Sequence, residues 1–282
     1  MANVAFLGTG LLGGGMVEAM RRNGWTVTVW NRTERKARAL ERLGATVAPT
    51  AAEAVAGADQ IHMTLPDDAV VDAIVEAVLP RLKPDAVIVD HSTTAPKGTK
   101  ARLDRMQRRG VSFLHAPVFM SPQAARDATG LMMVTGPREV YARVAGDLQQ
   151  MTGDVWYVGE RGDLAAVYKL FGNSMLFVIT AGLADVFAMA KANDVSLADA
   201  VGVFSRFKVA NVIGYRGEKM AKGDFSAMFE MTMARKDMRL MIEAADSVPL
   251  AVLPAIAAKM DEAIATGHGA EDLGAIAAGV LR

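Results

Sequence analysis

Short runs of apolar and β-branched residues recur along the first part of the chain, at residues 4–7, 26–30, 60–64, 86–90, 111–114, 132–135 and 155–158. Stretches of helical length separate them. Strands spaced in this way predict βαβ units and a mainly parallel sheet, because parallel neighbours need a long crossover and a helix is the usual one. After Gly162 the period changes. Leu164, Val167, Leu170 and Phe171 recur near 3.6 residues, and only Gly202, Gly214, Gly223 and Pro249 punctuate the remainder of the chain. The pattern predicts an α/β domain over residues 1–160 followed by an all-α domain over residues 161–282.

Composition narrows the function classes. The 31 basic and 31 acidic residues cancel, so no net field draws the chain to nucleic acid or an anionic membrane, and neither is expected as a partner. With no cysteine, disulfides, thiolate metal sites and a cysteine nucleophile are excluded, and redox chemistry needs a borrowed cofactor. The chain runs from Met1 straight into strand-like alternation, without a basic region and an apolar stretch before a cleavage site; a cytoplasmic protein is expected. The most apolar segment, residues 175–190, is shorter than a bilayer needs and contains Asp185, which predicts a buried helix rather than a membrane span. The histidines show no metal-ligand spacing with acids, and no metal is expected.

The first motif, Gly8-Thr9-Gly10-Leu11-Leu12-Gly13, follows the first strand and opens a helix that ends near Arg22. Its glycines permit a tight turn and a close approach of backbone to a pyrophosphate lying on the positive end of the helix. Gly8, Gly10, Leu11, Leu12 and Gly13 are therefore candidate cofactor contacts in a Rossmann domain. At the end of the second strand stand Asn31, Arg32 and Thr33, where an NAD site usually places a carboxylate for the ribose hydroxyls. An arginine fork suits the 2′-phosphate, so the expected cofactor is NADP, with NAD as the alternative.

Four separated motifs, residues 6–13, Asp90-His91-Ser92-Thr93 with Pro96, residues 159–173 and Lys236-Asp237-Met238-Arg239, make the chain resemble the β-hydroxyacid dehydrogenase family nearly end to end. The resemblance implies a 6-phosphogluconate dehydrogenase-like arrangement: an N-terminal Rossmann domain with a parallel sheet, a long connecting helix and an all-α C-terminal domain. It also implies an NADPH-dependent oxidoreductase acting on CH–OH, which interconverts a small aldehyde or ketone of semialdehyde type and its hydroxy compound. By the same resemblance Lys169 is the general acid and base, and Asn173 holds the substrate. Their spacing of four residues independently puts both on one helix face. Leu65 and Pro66 match a loop over the cofactor. Ser92 and Thr93 match residues that contact nicotinamide and substrate, though their hydroxyls could instead cap a helix. Lys236 and Asp237 match a pair near cofactor and cleft, and Phe229 an aromatic over the site. A homodimer or homotetramer is implied as well.

One departure concerns the substrate. Relatives commonly carry Ser-Gly-Gly where this chain reads Phe119-Met120-Ser121, so the small polar cradle for a carboxylate becomes bulky and apolar. Phe119, Met120 and Ser121 remain candidate substrate contacts, although Ser121 could equally cap a helix beginning near Pro122. His115 is expected to support this loop, and His91 to touch the cofactor. Two other readings stay open. An imine reductase or reductive aminase would share architecture and NADPH, but typically lacks the lysine. A catalytically silent NADP-binding module would need no lysine and asparagine aligned on one helix.

Overall fold

The computed structural model of the chain describes residues 2–281. Nine strands form one sheet: β1 (Asn3–Leu7), β2 (Thr26–Trp30), β3 (Thr46–Val47), β4 (Gln60–Met63), β5 (Val87–Asp90), β6 (Ser112–His115), β7 (Val118–Phe119), β8 (Leu131–Thr135) and β9 (Asp154–Gly159). Their order is β3-β2-β1-β4-β5-β6-β8-β7, with β9 also paired to β8. From β3 to β6 every pairing is parallel, and β8 reverses direction against β6 and β7. The seven expected strands are present. Two more, β3 and β7, are only two residues long, too short for any period to show.

Side chains alternate across the sheet as the pleat requires. Val4 and Phe6 enter one apolar core with Met16, Val27, Val29 and Leu148, while Ala5 and Leu7 enter another with Ile61, Val71, Ile88 and Met106. Both faces are buried, so β1 and β4 read as nearly continuous apolar runs. Each fully buried Phe, Leu or Ile contributes roughly 1.5–3 kcal/mol. Registers running from Asn3↔Thr26 to Leu7↔Trp30 and from Val4↔Gln60 to Leu7↔Met63 bring the strand ends level. The residues just beyond, Gly8, Asn31, Thr64 and His91, consequently share one crevice where the strand order reverses between β1 and β4, the usual ligand position of such sheets.

Two compact units divide the chain, Met1–Asn173 and Ser174–Arg282, and the division falls inside the long helix Leu164–Ala192. The second unit contains the helices Leu197–Arg206, Ala210–Ala221, Met231–Ala244 and Leu253–Ala263. Its core is built from Met231, Ala234, Met238, Ala257, Met260, Ala263 and Ala275. Gly202 and Gly214 do not break helices as their spacing suggested; both lie inside one. A glycine there costs about 1 kcal/mol without ending the helix. Gly223, at φ +66°, does follow a helix end, and Pro249 lies in a connection. Asp185 is buried and accepts the backbone N–H groups of Ala251, Val252 (3.0 Å) and Leu253 (2.9 Å), opening the helix Leu253–Ala263. The expectation of a buried apolar segment holds only around Asp185. Met175, Leu176, Phe177, Val178 and Ile179 are all exposed in the single chain, because its other elements leave that side of the helix open. By length and composition alone, Leu164–Ala192 is the one helix among the described residues that would suffice to cross a membrane.

Candidate active site

The cleft at the sheet's carboxyl edge has a volume of about 570 Å³, within the 300–1,000 Å³ usual for ligand sites. It is lined by Gly8, Gly10, Leu11, Leu12 and Gly13, by Asn31, Arg32 and Thr33, by Leu65 and Pro66, and by Ser92 and Thr93, so all of these candidates come together. Gly8 takes φ +95°, and a Cβ there would collide with the Thr64 carbonyl. A Cβ on Gly13 would strike the Gly8 carbonyl and the Phe6 ring, whereas at Gly10 it would meet open space. Two glycines thus let the loop close on itself, and the third leaves bare backbone facing the cleft. Helix Leu11–Arg22 starts there with no side-chain cap and no acid in its first turn, leaving its N–H groups and positive end for an anion. These features fit a dinucleotide pyrophosphate. Asn31 braces the loop, its Oδ1 accepting from Thr9 N–H at 2.9 Å and its Nδ2 donating to the Thr33 carbonyl at 2.9 Å. Arg32 is exposed, and Lys36 joins it along the lining.

The floor of the cleft is a buried polar network. Ser92 does not cap a helix: its Oγ accepts from Leu65 N–H at 2.8 Å, and its own N–H donates to Asp90 Oδ1 at 2.9 Å. The helix Pro96–Arg108 has Ala95 at its N-cap without any side-chain cap, so Thr93 does not serve there either; its side chain is exposed to the cleft. Fully buried Arg102 reaches Asp68 Oδ1 (2.9 Å) and Asp72 Oδ1 (2.8 Å), with Asp90 Oδ2 at 3.8 Å. Burial would push the Asp90 carboxyl up, but His115, 3.7 Å away, and Ser92 outweigh it and hold the group below the usual carboxylate range. His91 Nδ1 lies 2.8 Å from the Ala116 carbonyl, and His91 Nε2 lies 2.9 Å from His62 Nδ1. Burial pushes His91 down to about 4 despite the Ala116 carbonyl and Asp90, and burial followed by the charge of His91 pushes His62 well below the usual range. Both rings are therefore neutral near pH 7.

The chemistry-bearing helix begins at Leu164. Lys169 and Asn173 stand one turn apart, both half-buried, at the end of the first unit. Among the described residues Lys169 has no ion pair; its Nζ lies 4.2 Å from the centre of the Phe119 ring, and burial pushes its pKa down. A Cβ at Gly172 would run into that ring, so Phe119 is seated against the helix backbone. Val118 and Phe119 pair with Met132 and Leu131, which fixes the ring from behind, and Met120 packs against the core. Ser121 Oγ accepts from Ala124 N–H at 3.1 Å and caps the helix Pro122–Arg126, the second of the two roles open to it.

A family model described as the NAD binding domain of 6-phosphogluconate dehydrogenase matches residues 3–159, more than half of the chain. The chain belongs to the β-hydroxyacid dehydrogenase family. Among relatives of this family member, glyoxylate/succinic semialdehyde reductase 2, chloroplastic, of Arabidopsis thaliana is 28% identical over 96% of this chain and 76% of its own length. Cytokine-like nuclear factor N-PAC of Gallus gallus is 28% identical over 87% of this chain, but the chain spans only 45% of that protein. An imine reductase of Streptomyces aurantiacus superposes with a TM-score of 0.91 over 99% of this chain and 100% of its own, at 23% identity, a likeness of fold.

Three candidates of this β-hydroxyacid dehydrogenase family member lie in the second unit. Lys236 and Asp237 sit on the helix Met231–Ala244 and pair with each other at 2.5 Å. Phe229 is partly exposed, its N–H held by Asp272 Oδ2 at 3.0 Å. Sequence reasoning passed over Lys36 and Thr64. Lys36 carries a usable signal, a second cation four residues after Arg32. Thr64, whose Oγ1 donates to the Gly8 carbonyl at 2.6 Å, carries none, because its partner lies 56 positions away.

Proposed function

We propose that this chain is an NADPH-dependent oxidoreductase that interconverts a small aldehyde or ketone and the corresponding hydroxy compound, with Lys169 as general acid and base. The observation that carries the reading is Lys169 itself: an ammonium without a counter-ion, half-buried, one turn from Asn173, in the same unit as a cleft that fits a dinucleotide. Bound NADPH supplies a hydride. As the carbonyl carbon accepts it, the C–O π pair moves to oxygen, and Lys169 Nζ gives that oxygen a proton while the Asn173 amide hydrogen-bonds to the substrate. The neutral amine then regains a proton from water. Arg32 and Lys36 support NADPH over NADH. The exposed run from Met175 to Ile179 supports a homodimer or homotetramer, since a contiguous apolar patch of this kind is seldom left to water.

The test is NADPH oxidation, with NADH in parallel, against aldehydes, semialdehydes and cyclic imines. Lys169→Ala is expected to lower carbonyl reduction by roughly 10²–10⁴-fold. In the wild type, the reductive rate falls as pH rises through the Lys169 pKa, because only the protonated amine can donate. Burial places that fall below the ordinary lysine value of 10.5. Turnover of imines alone, or a Lys169→Ala variant at full rate, hands the site to an imine reductase. NADPH binding with no turnover of any kind leaves a non-catalytic module.

A further inference from the structure

Phe119 touches the chemistry of this site more closely than any other side chain of its loop. Its ring face is presented to the Lys169 ammonium at 4.2 Å, and its edge occupies the space that the missing Cβ of Gly172 leaves on the same helix. The arrangement is braced on every side. β7 holds the Phe119 backbone in a ladder with Leu131, and Gly130, at φ +116°, lets the loop approach so closely that a Cβ there would touch Met120 and the Phe119 carbonyl. Ser121, the nearest hydroxyl in the loop, has its oxygen engaged at a helix N-terminus. The cations that line the cleft, Arg32 and Lys36, stand beyond the end of β2.

A carboxylate brought beside Lys169 would meet the negative face of the ring and lose water without gaining a partner other than the lysine. Pairing with the lysine is itself unhelpful, because a neighbouring anion stabilises the ammonium and holds back the proton that the reaction needs. An apolar substituent incurs neither cost and gains contact with the ring and with Met120. We infer that Phe119, seated on Gly172 and facing Lys169, makes this a site for uncharged aldehydes or ketones with apolar substituents rather than for carboxylated semialdehydes. The inference rests on the reading of Lys169 as the proton donor.

The decisive comparison is butanal against succinic semialdehyde, two four-carbon aldehydes that differ by a methyl group replaced with a carboxylate, each followed by NADPH oxidation. The wild type is expected to favour butanal by tenfold or more in kcat/KM. Phe119→Ser removes the ring, and Gly172→Ala displaces it from the helix side. Both should move the ratio toward the semialdehyde by about tenfold, with folding checked by melting temperature, and if one variant does not fold the other decides. A wild type that prefers succinic semialdehyde, or a ratio unmoved in the folded variants, overturns the inference while leaving the reductase reading intact. If the wild type reduces neither aldehyde, nor any other carbonyl compound, although NADPH fluorescence shows binding, the reductase reading fails and takes the inference with it.

Discussion

The two units of the chain handle apolar surface in opposite ways. The first buries Phe6, Leu7, Ile61, Ile88 and Phe113 almost completely and covers both faces of its sheet. The second packs a core of methionine and alanine while Phe177, Val203, Phe207, Ile213, Met233 and Leu240 stay exposed. A sheet with helices on both faces has nowhere to put an apolar side chain except inside, whereas a helix can turn a second stripe outward. A residue's hydrophobicity therefore says much about burial in the first unit and little in the second.

Mutation can break or sharpen that contrast. Phe6→Ala should cost about 3–5 kcal/mol in urea unfolding, whereas Phe177→Ala should stay within about 0.5 kcal/mol under conditions that keep the chain monomeric. Equal losses would show the exposed stripe to be as well packed as the sheet core. Acid gives the next largest effect, and it belongs to the first unit. His91 binds its proton at about 4 when folded but near 6.5 when unfolded, and His62 is shifted in the same direction. Stability is thus full above the unfolded value and falls as pH drops from about 6.5 to about 4, by roughly 3 kcal/mol for His91 alone. A melting temperature flat over that window would mean that the two rings are solvated. Asp185→Ala, in the second unit, strands three backbone donors and should cost about 1–3 kcal/mol, read as a lower denaturation midpoint. Smallest is Arg32→Gln, expected to reduce the preference for NADPH over NADH about tenfold, or ~1.4 kcal/mol, with no change in melting temperature. A change in stability would mean that Arg32 supports the fold.

The first unit was legible because its strands are buried on both faces and its glycines sit where the backbone demands them. Gly8 and Gly13 announce a turn that no other residue could make, and Lys169 and Asn173 announce a shared helix face. The partner of Lys169 was not legible: Phe119 stands 50 positions earlier, and nothing in its neighbours says that the ring lies over an ammonium. The strand that holds it, β7, has only two residues. Gly202 and Gly214 misled because propensity weakens a helix without deciding its end, which needs a positive φ such as that of Gly223. The apolar residues from 175 to 179 proclaim coverage, but composition is blind to whether the cover comes from the same chain.

The hydrogen bond from Leu65 N–H to Ser92 Oγ joins the ends of two adjacent strands, and Arg102 ties the neighbouring turns together through Asp68 and Asp72. The rim of the cleft is in mechanical terms a stapled hoop, not a pair of free flaps. A molecule that enters finds the loops already frozen, so little of its affinity is spent on their entropy, and what discriminates between ligands is the rigid shape they meet.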